Sequence, residues 1–359
     1  MSITGPQTAN HTEDAGFPAG LHPQARRVLE FTNAATVPVP RTQPPSEKNN
    51  FERAQEARRA HVAASAVLVG PLVPVASSRK LRVSRQDGTG VPVRISVPRN
   101  PSPGVLVYLH GGGWVIGTLK TFDGVCRSLA NRTGMTVVAV DYRLAPEHPH
   151  PAAIDDTELA LKWIANGGAG DLAKAGPLVL AGDSAGGNLT ASICLRARDT
   201  ESPRIDAQVL IYPITDATMS APSMKQFSKG LYLTAEAMQW YWDCYLQERA
   251  SAQHDASVLH RNLDGLPPTL VLTAEFDPLR DEGEAFASRL IEAGNTVRFK
   301  RFNGMIHGFF RFSGLVDAAE EATNLIGEFL DSLELTRRSA GSPTGNESND
   351  DPPLEMEKT

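Results

Sequence analysis

Cysteine is nearly absent. Cys126, Cys194 and Cys244 are the only three in 359 residues, widely separated and without a C-x-x-C spacing. That excludes a disulfide framework and a zinc knuckle, and leads us to expect reduced, buried thiols in a cytoplasmic protein. Long apolar runs are missing as well: none reaches the length of a bilayer span, so no membrane partner is expected. The stretch Met1 to Gly20 has no basic start followed by an apolar segment, so no secretory leader is expected. Positive charge is in short supply, with 35 Lys and Arg against 41 Asp and Glu, a net charge of −6. Without a dense basic stripe, a nucleic-acid partner is excluded. What is present, 41% hydrophobic and 21% charged residues, is enough to build a large globular core.

Organisation follows from where the apolar period changes. Two helices are predicted between His22 and Ser65, separated by a linker from Val37 to Pro45 whose prolines cannot continue a helix. From Lys80 the pattern turns to strands. Leu81–Ser84 and Val91–Val97 flank Asp87-Gly88-Thr89-Gly90 and predict an antiparallel hairpin. Strands are then predicted at 105–109, 136–140, 178–181, 208–212, 269–273 and 297–302, alternating with helices at 122–131, 152–165, 189–197, 278–292 and 317–333. Such alternation implies an α/β fold whose mostly parallel sheet is covered by helices on both faces. Functional groups should gather at the carboxyl ends of the strands. About 55 residues after Tyr212 break the alternation and carry a helix with Met238, Trp240, Tyr241, Trp242 and Tyr245; an insertion of that length is expected to form a cap. Those aromatics are expected mainly to pack within it.

The chemistry is announced at Gly182-Asp183-Ser184-Ala185-Gly186, between the apolar strand 178–181 and a helix predicted to have one apolar face. A bare G-x-S-x-G arises by chance in roughly one chain in ten of this length, so its strand and helix flanks matter more than the pattern. A serine on so sharp a turn exposes its hydroxyl above the sheet, and the following helix offers free N–H groups to a negative oxygen. The strand 105–109 ends in His110-Gly111-Gly112-Gly113-Trp114, whose unshielded backbone suits an oxyanion. A phosphate loop would need Lys-Ser or Lys-Thr after the glycines, where Trp114-Val115 stand instead.

A nucleophilic serine needs a base and a group to orient it. His307, between Gly304 and Gly308 after the strand 297–302, is the candidate base. His148 and His150 form an H-P-H without further ligands, so no metal is expected. Asp277 leaves the strand 269–273 just before Pro278 and is the favoured acid; Glu275, Asp281 and Glu282 compete, the last two reading as first-turn helix acids. The order Ser184, Asp277, His307 is that of α/β-hydrolase triads rather than of chymotrypsin or subtilisin.

The chain resembles the hormone-sensitive-lipase-like esterases, bacterial family IV of the α/β-hydrolase superfamily, over roughly residues 80–335. The likeness rests on HGGGW at 110–114, DYRLAPEHPHPAA at 141–153, GDSAGGNL at 182–189, YP at 212–213, DPLRDEG at 277–283 and HGF at 307–309. It implies an α/β-hydrolase fold with an eight-stranded, mostly parallel sheet and a helical cap. Residues 1–75 would add helices to the cap, 76–215 and 256–336 would form the core, 216–255 the cap insertion, and 337–359 a disordered tail. It also implies a catalytic Ser184, Asp277 and His307, an oxyanion hole from the N–H groups of Gly112, Gly113 and Ala185, and no cofactor. Gly111 and His110 would shape the glycine loop, and Arg143 and Glu147 would hold the loop around Pro146. Trp114, Asp183, Tyr212, Leu233, Trp240 and Phe309 are the substrate-pocket candidates. The implied protein is a serine carboxylesterase for short- to medium-chain or small aromatic or xenobiotic esters, a monomer or homodimer. An amidase or acyltransferase on the same triad, and a non-catalytic ligand receptor of the same fold, are the alternatives.

Overall fold

The computed structural model describes residues 17–34, 49–201, 203–247 and 255–333. The proline linker at 37–45 and the tail from 337 lie outside these residues. Eight strands form one sheet: β1 Ser77–Ser84, β2 Gly90–Val97, β3 Val105–Leu109, β4 Thr136–Val140, β5 Leu178–Asp183, β6 Ala207–Ile211, β7 Thr269–Phe276 and β8 Val297–Ile306. Their order is β1-β2-β4-β3-β5-β6-β7-β8. β1 and β2 pair antiparallel, as do β2 and β4; every other pairing is parallel. The hairpin turns where Asp87 and Gly88 stand: Asp87 Oδ1 accepts from the Thr89 N–H at 2.9 Å, and Gly88 takes φ +82°.

Strand alternation divides the core in two. Val105, Val107 and Leu109 of β3 join Val138, Val140 and Leu180 on one face, under the helices Ala152–Ala165, Ala185–Thr200 and Arg280–Glu292. Leu106, Tyr108, Val137, Val179 and Leu270 point to the other face, where Pro23–Ala34, Asp123–Thr133 and Ala318–Ser332 cover them. β3 to β6 are buried along their whole length, which is why they read as continuous apolar runs rather than alternating ones. β3 lies between β4 and β5, so the chain reverses its direction of progress across the sheet there. A crevice opens at the carboxyl ends of β3 and β5.

Two expectations are corrected. The helix after the serine turn is buried on all sides from Ala185 to Leu195, not on one face. Its polar residues are absorbed locally: Thr190 Oγ1 donates to the Gly186 carbonyl at 2.9 Å, and Asn188 Nδ2 donates to the carbonyls of Ile214 and Ala256. β8 also does not stop at Phe302 but runs to Ile306. Asn303-Gly304 has the composition of a turn, yet it forms an irregularity within the β7–β8 ladder, which resumes with Phe276 opposite Ile306. That register brings the next residues of the two strands, Asp277 and His307, out side by side.

Candidate active site

Ser184 follows the last residue of β5 with φ +55° and ψ −117°, a conformation that costs a side-chain-bearing residue about 1–3 kcal/mol. The fold holds it there: its N–H donates to the Ile211 carbonyl at 2.8 Å, and its carbonyl accepts from Asn188 at 3.1 Å and Ile214 at 3.2 Å. A Cβ on Gly182 would strike the Gly186 backbone, and one on Gly186 would strike the Leu109 carbonyl, so neither position admits a side chain. His307 Nε2 lies 3.0 Å from Ser184 Oγ, and His307 Nδ1 lies 2.7 Å from Asp277 Oδ2. Asp277 Oδ1 accepts from the Leu279 N–H at 2.9 Å, leaving Oδ2 for the imidazole.

The competing acids are engaged elsewhere. Glu275 accepts from the Gly304 N–H at 2.6 Å and so secures the irregularity in β8. Asp281 accepts from Ser223 N–H at 2.8 Å and pairs with Arg280. Glu282 accepts from the N–H groups of Thr215 at 2.6 Å and Asp216 at 3.2 Å. Among the four, only Asp277 meets His307.

Glu282 is itself unusual. Burial raises its carboxyl, the Thr215 and Asp216 N–H groups pull it back, and the negative charges of Asp216 and Asp277 raise it again, to about 8 in all, so it is held neutral beside Asp277 near pH 7. In the unfolded chain it ionises near its ordinary 4.5. Its contribution to stability is therefore full below about pH 4.5, falls as pH rises, and is lost through about pH 8. Glu282→Gln keeps the acceptor oxygen and removes the titration. It is expected to flatten the loss of stability between about pH 5 and about pH 8 by a few kcal/mol, at about 1.4 kcal/mol per unit. Denaturant unfolding at the two pH values measures it; the same pH slope in both proteins would contradict a neutral Glu282.

The glycine loop is fixed by Asp183, the residue before the serine. Its Oδ1 accepts from Tyr108 Oη at 2.7 Å and from the Gly111 N–H at 2.8 Å. Burial raises this carboxyl, and the Tyr108 hydrogen bond, Arg311 and the Gly111 N–H pull it back. His110 stacks on Tyr142, with ring centroids 4.4 Å apart, and its carbonyl accepts from Tyr142 Oη at 2.6 Å; these contacts anchor the loop. Gly112 and Gly113 have φ +116° and +58°, and a Cβ on Gly113 would enter the ring of Tyr241. Gly113→Ala is expected to displace the loop and lower kcat for a nitrophenyl ester about 10²–10³-fold, the usual cost of a lost oxyanion donor. Steady-state kinetics checks it, and a change below about threefold would mean that the loop takes the added methyl group without moving this N–H.

Above these groups lies a mostly apolar cavity lined by Ser184, His307, Asp183, Gly112 and Gly113 together with cap residues. Ala60, His61 and Ala64 come from the helix Asn50–Leu68; Leu233, Met238 and Tyr241 come from the insertion and its helix Ala235–Leu246. The first N-terminal helix, Pro23–Ala34, contributes nothing to this lining and lies against β8. Arg58 ties the second helix down: its guanidinium holds both oxygens of Glu147 at 2.7 Å and donates to the carbonyls of Val115 and Ala145. Arg143 instead pairs with buried Asp156 at 3.0 Å.

Of the six pocket candidates, Asp183 and Leu233 line the cavity and four do not. Trp114 is fully buried and stacks flat on Tyr245 at 4.2 Å, filling the core beneath the cap. Tyr212 sits behind the His307 imidazole, with ring centroids 4.6 Å apart, and Phe309 packs on Tyr212 and Phe302. Trp240 donates from its indole to Asn50 Oδ1 at 3.2 Å and lies under Arg53, joining the two cap segments. Tyr241, Met238, His61 and Arg311 were not singled out as lining by sequence. A small-residue stripe, Ala57, Ala60 and Ala64, was the one signal that the second N-terminal helix approaches something closely.

All three cysteines are buried and unpaired. Among the described residues no helix is long and apolar enough to cross a membrane, and no cluster of three metal-binding side chains occurs.

Residues 106–311 match a family model described as the α/β-hydrolase fold. The chain is 41% identical over 249 residues to a carboxylesterase of Mycobacterium tuberculosis, covering 66% of this chain and 77% of that protein. It is 34% identical over 286 residues to an ethyl acetate hydrolase of Pseudomonas putida, covering 77% and 89%. Among solved structures, a hyperthermophilic esterase from the archaeon Pyrobaculum calidifontis superposes with a TM-score of 0.76 at 35% identity, over 88% of this chain and 99% of that one.

Proposed function

The chain belongs to the α/β-hydrolase fold family, in its hormone-sensitive-lipase-like branch, and is a carboxylic ester hydrolase; from that premise we propose that it works through an acyl-enzyme on Ser184. The observation that carries this reading is the hydrogen-bonded series Asp277, His307, Ser184, opening on a cavity beside Gly112 and Gly113. Ser184 Oγ attacks the ester carbonyl as His307 Nε2 takes its proton. The oxyanion of the tetrahedral intermediate is received by the N–H groups of Gly112, Gly113 and Ala185. His307 then returns the proton to the departing alkoxide, and water activated by the same nitrogen releases the acid. Tyr212 behind the imidazole and Asp277 beneath it keep the ring in line.

The substrates are small esters of short or medium acyl chain. The cap closes over Ser184 with Leu233, Met238 and Tyr241, and the hydrolase and arylesterase names of similar proteins describe small substrates. A nitrophenyl ester series from acetate to laurate tests this reading. kcat/KM is expected to be highest between acetate and hexanoate and about tenfold or more lower at laurate, a difference of about 1.4 kcal/mol. A maximum at laurate would contradict it.

A further inference from the structure

The cavity over Ser184 is mostly apolar, yet it holds a cation. Arg311 ends the short helical turn Phe309–Arg311 just after His307, lines the cavity, and is only 7% exposed. The partners it does have are neutral. Nη2 donates to Ser65 Oγ at 2.9 Å, and the guanidinium lies 4.7 Å from the centre of the Phe122 ring. Among the described residues it forms no ion pair, and its Nε has no hydrogen-bond partner. His61, also in the lining, is buried and stacks on the same Phe122; its Nε2 is likewise without a partner. Burial first, and then the charge of Arg311, hold this imidazole well below its ordinary value, so it stands neutral and offers hydrogen bonding without a second charge. The carboxylate that shares the lining is Asp183, whose Oδ1 is committed to Tyr108 and Gly111.

A buried guanidinium with no carboxylate in contact is costly; the nearby charge of Asp183 offsets part of that cost, and an anion brought in by the substrate would offset more of it. Its planar fork fits a carboxylate better than any neutral group. An acyl or alcohol chain ending in a carboxylate would otherwise be rejected by so apolar a cavity. We propose that Arg311, with His61 beside it, is an anion subsite within the catalytic cavity, and that the enzyme accepts esters bearing a free carboxylate. This deepens, and rests on, the reading of Ser184 as the nucleophile beneath the same cavity. The carboxylate could be carried on either side of the scissile bond, in monoesters of dicarboxylic acids or in esters of hydroxy acids.

Two matched pairs distinguish the sides. On the acyl side, the nitrophenyl monoester of adipic acid is compared with its N-methylamide-capped analogue; on the alcohol side, 6-acetoxyhexanoate is compared with its N-methylamide, acetate release being measured. In the wild-type enzyme, kcat/KM for the anionic member is expected to reach at least about one-tenth of the neutral one in one of the pairs. Arg311→Gln should lower that anionic-to-neutral ratio by about thirtyfold or more, the scale on which a buried charge pair is lost, and Arg311→Lys should restore part of it. A wild-type ratio below one-tenth in both pairs overturns the proposal, and does so even if Arg311→Gln fails to fold. Equal losses on both members overturn it too, and leave Arg311 as a counter-charge to Asp183. Cleavage of the neutral members keeps the nucleophile assignment standing in either case, whereas no cleavage of any member removes both.

Discussion

Ser184→Ala is expected to lower kcat/KM on nitrophenyl butyrate by roughly 10³–10⁶-fold, the range over which a serine triad and its oxyanion hole outperform the oxyanion hole alone. The fold should survive. Ser184 is anchored through its backbone, to Ile211, Ile214 and Asn188, and its hydroxyl is hydrogen-bonded to His307. Alanine accepts the +55° φ no worse than serine, so the turn keeps its strain and loses its nucleophile. Kinetics with a matched thermal melt separates the two effects. Residual activity within tenfold of wild type at an unchanged melting temperature would place the nucleophile elsewhere.

Asp277→Asn should be nearly as damaging, about 10⁴-fold in kcat, for a reason this geometry makes specific. The Leu279 N–H needs an oxygen at the Oδ1 position, so the new amide would present its NH₂ to His307 Nδ1. Two donors cannot share one hydrogen bond. Nδ1 must then become the acceptor, the ring proton moves to Nε2, and Nε2 can no longer receive the Ser184 proton. Asn fills the same buried volume, so the melting temperature should move little compared with kcat. Full activity in Asp277→Asn would show that another carboxylate orients the imidazole. Glu282, neutral and bonded to the Thr215 and Asp216 amides, is not placed to do so.

Much of this arrangement was legible in the sequence because local composition and tertiary need agree there. β3 and β4 begin and end where their apolar runs do, since both faces of each strand are covered. Ser184 was readable because the flanking glycines answer to clashes that no other residue avoids. The end of β8 was not readable. Asn303-Gly304 is turn-like in composition, but distant parts of the chain hold it in the ladder: the Glu275 carboxylate, 29 positions earlier, accepts from the Gly304 N–H, and the Gly304 carbonyl accepts from the His22 N–H at 2.9 Å. The cavity lining was hidden for a similar reason. Trp114 is a pocket candidate by sequence, but its indole turns down onto Tyr245. Tyr241 takes the place beside Gly113, on a helix whose aromatic residues are indistinguishable in sequence. Arg311 carries no motif at all; its importance lies in what surrounds it, and three-dimensional burial alone reveals that.

The claim on which everything else depends is that Ser184 forms the covalent intermediate. Labelling with a fluorophosphonate, followed by peptide mapping by mass spectrometry, tests it directly, because only a serine activated by its base is phosphonylated rapidly. One adduct per chain is expected, on the peptide containing Gly182-Asp183-Ser184-Ala185-Gly186, together with complete loss of esterase activity and no adduct in Ser184→Ala. Full ester hydrolysis by an unlabelled chain, or an adduct on any other residue, would contradict the account.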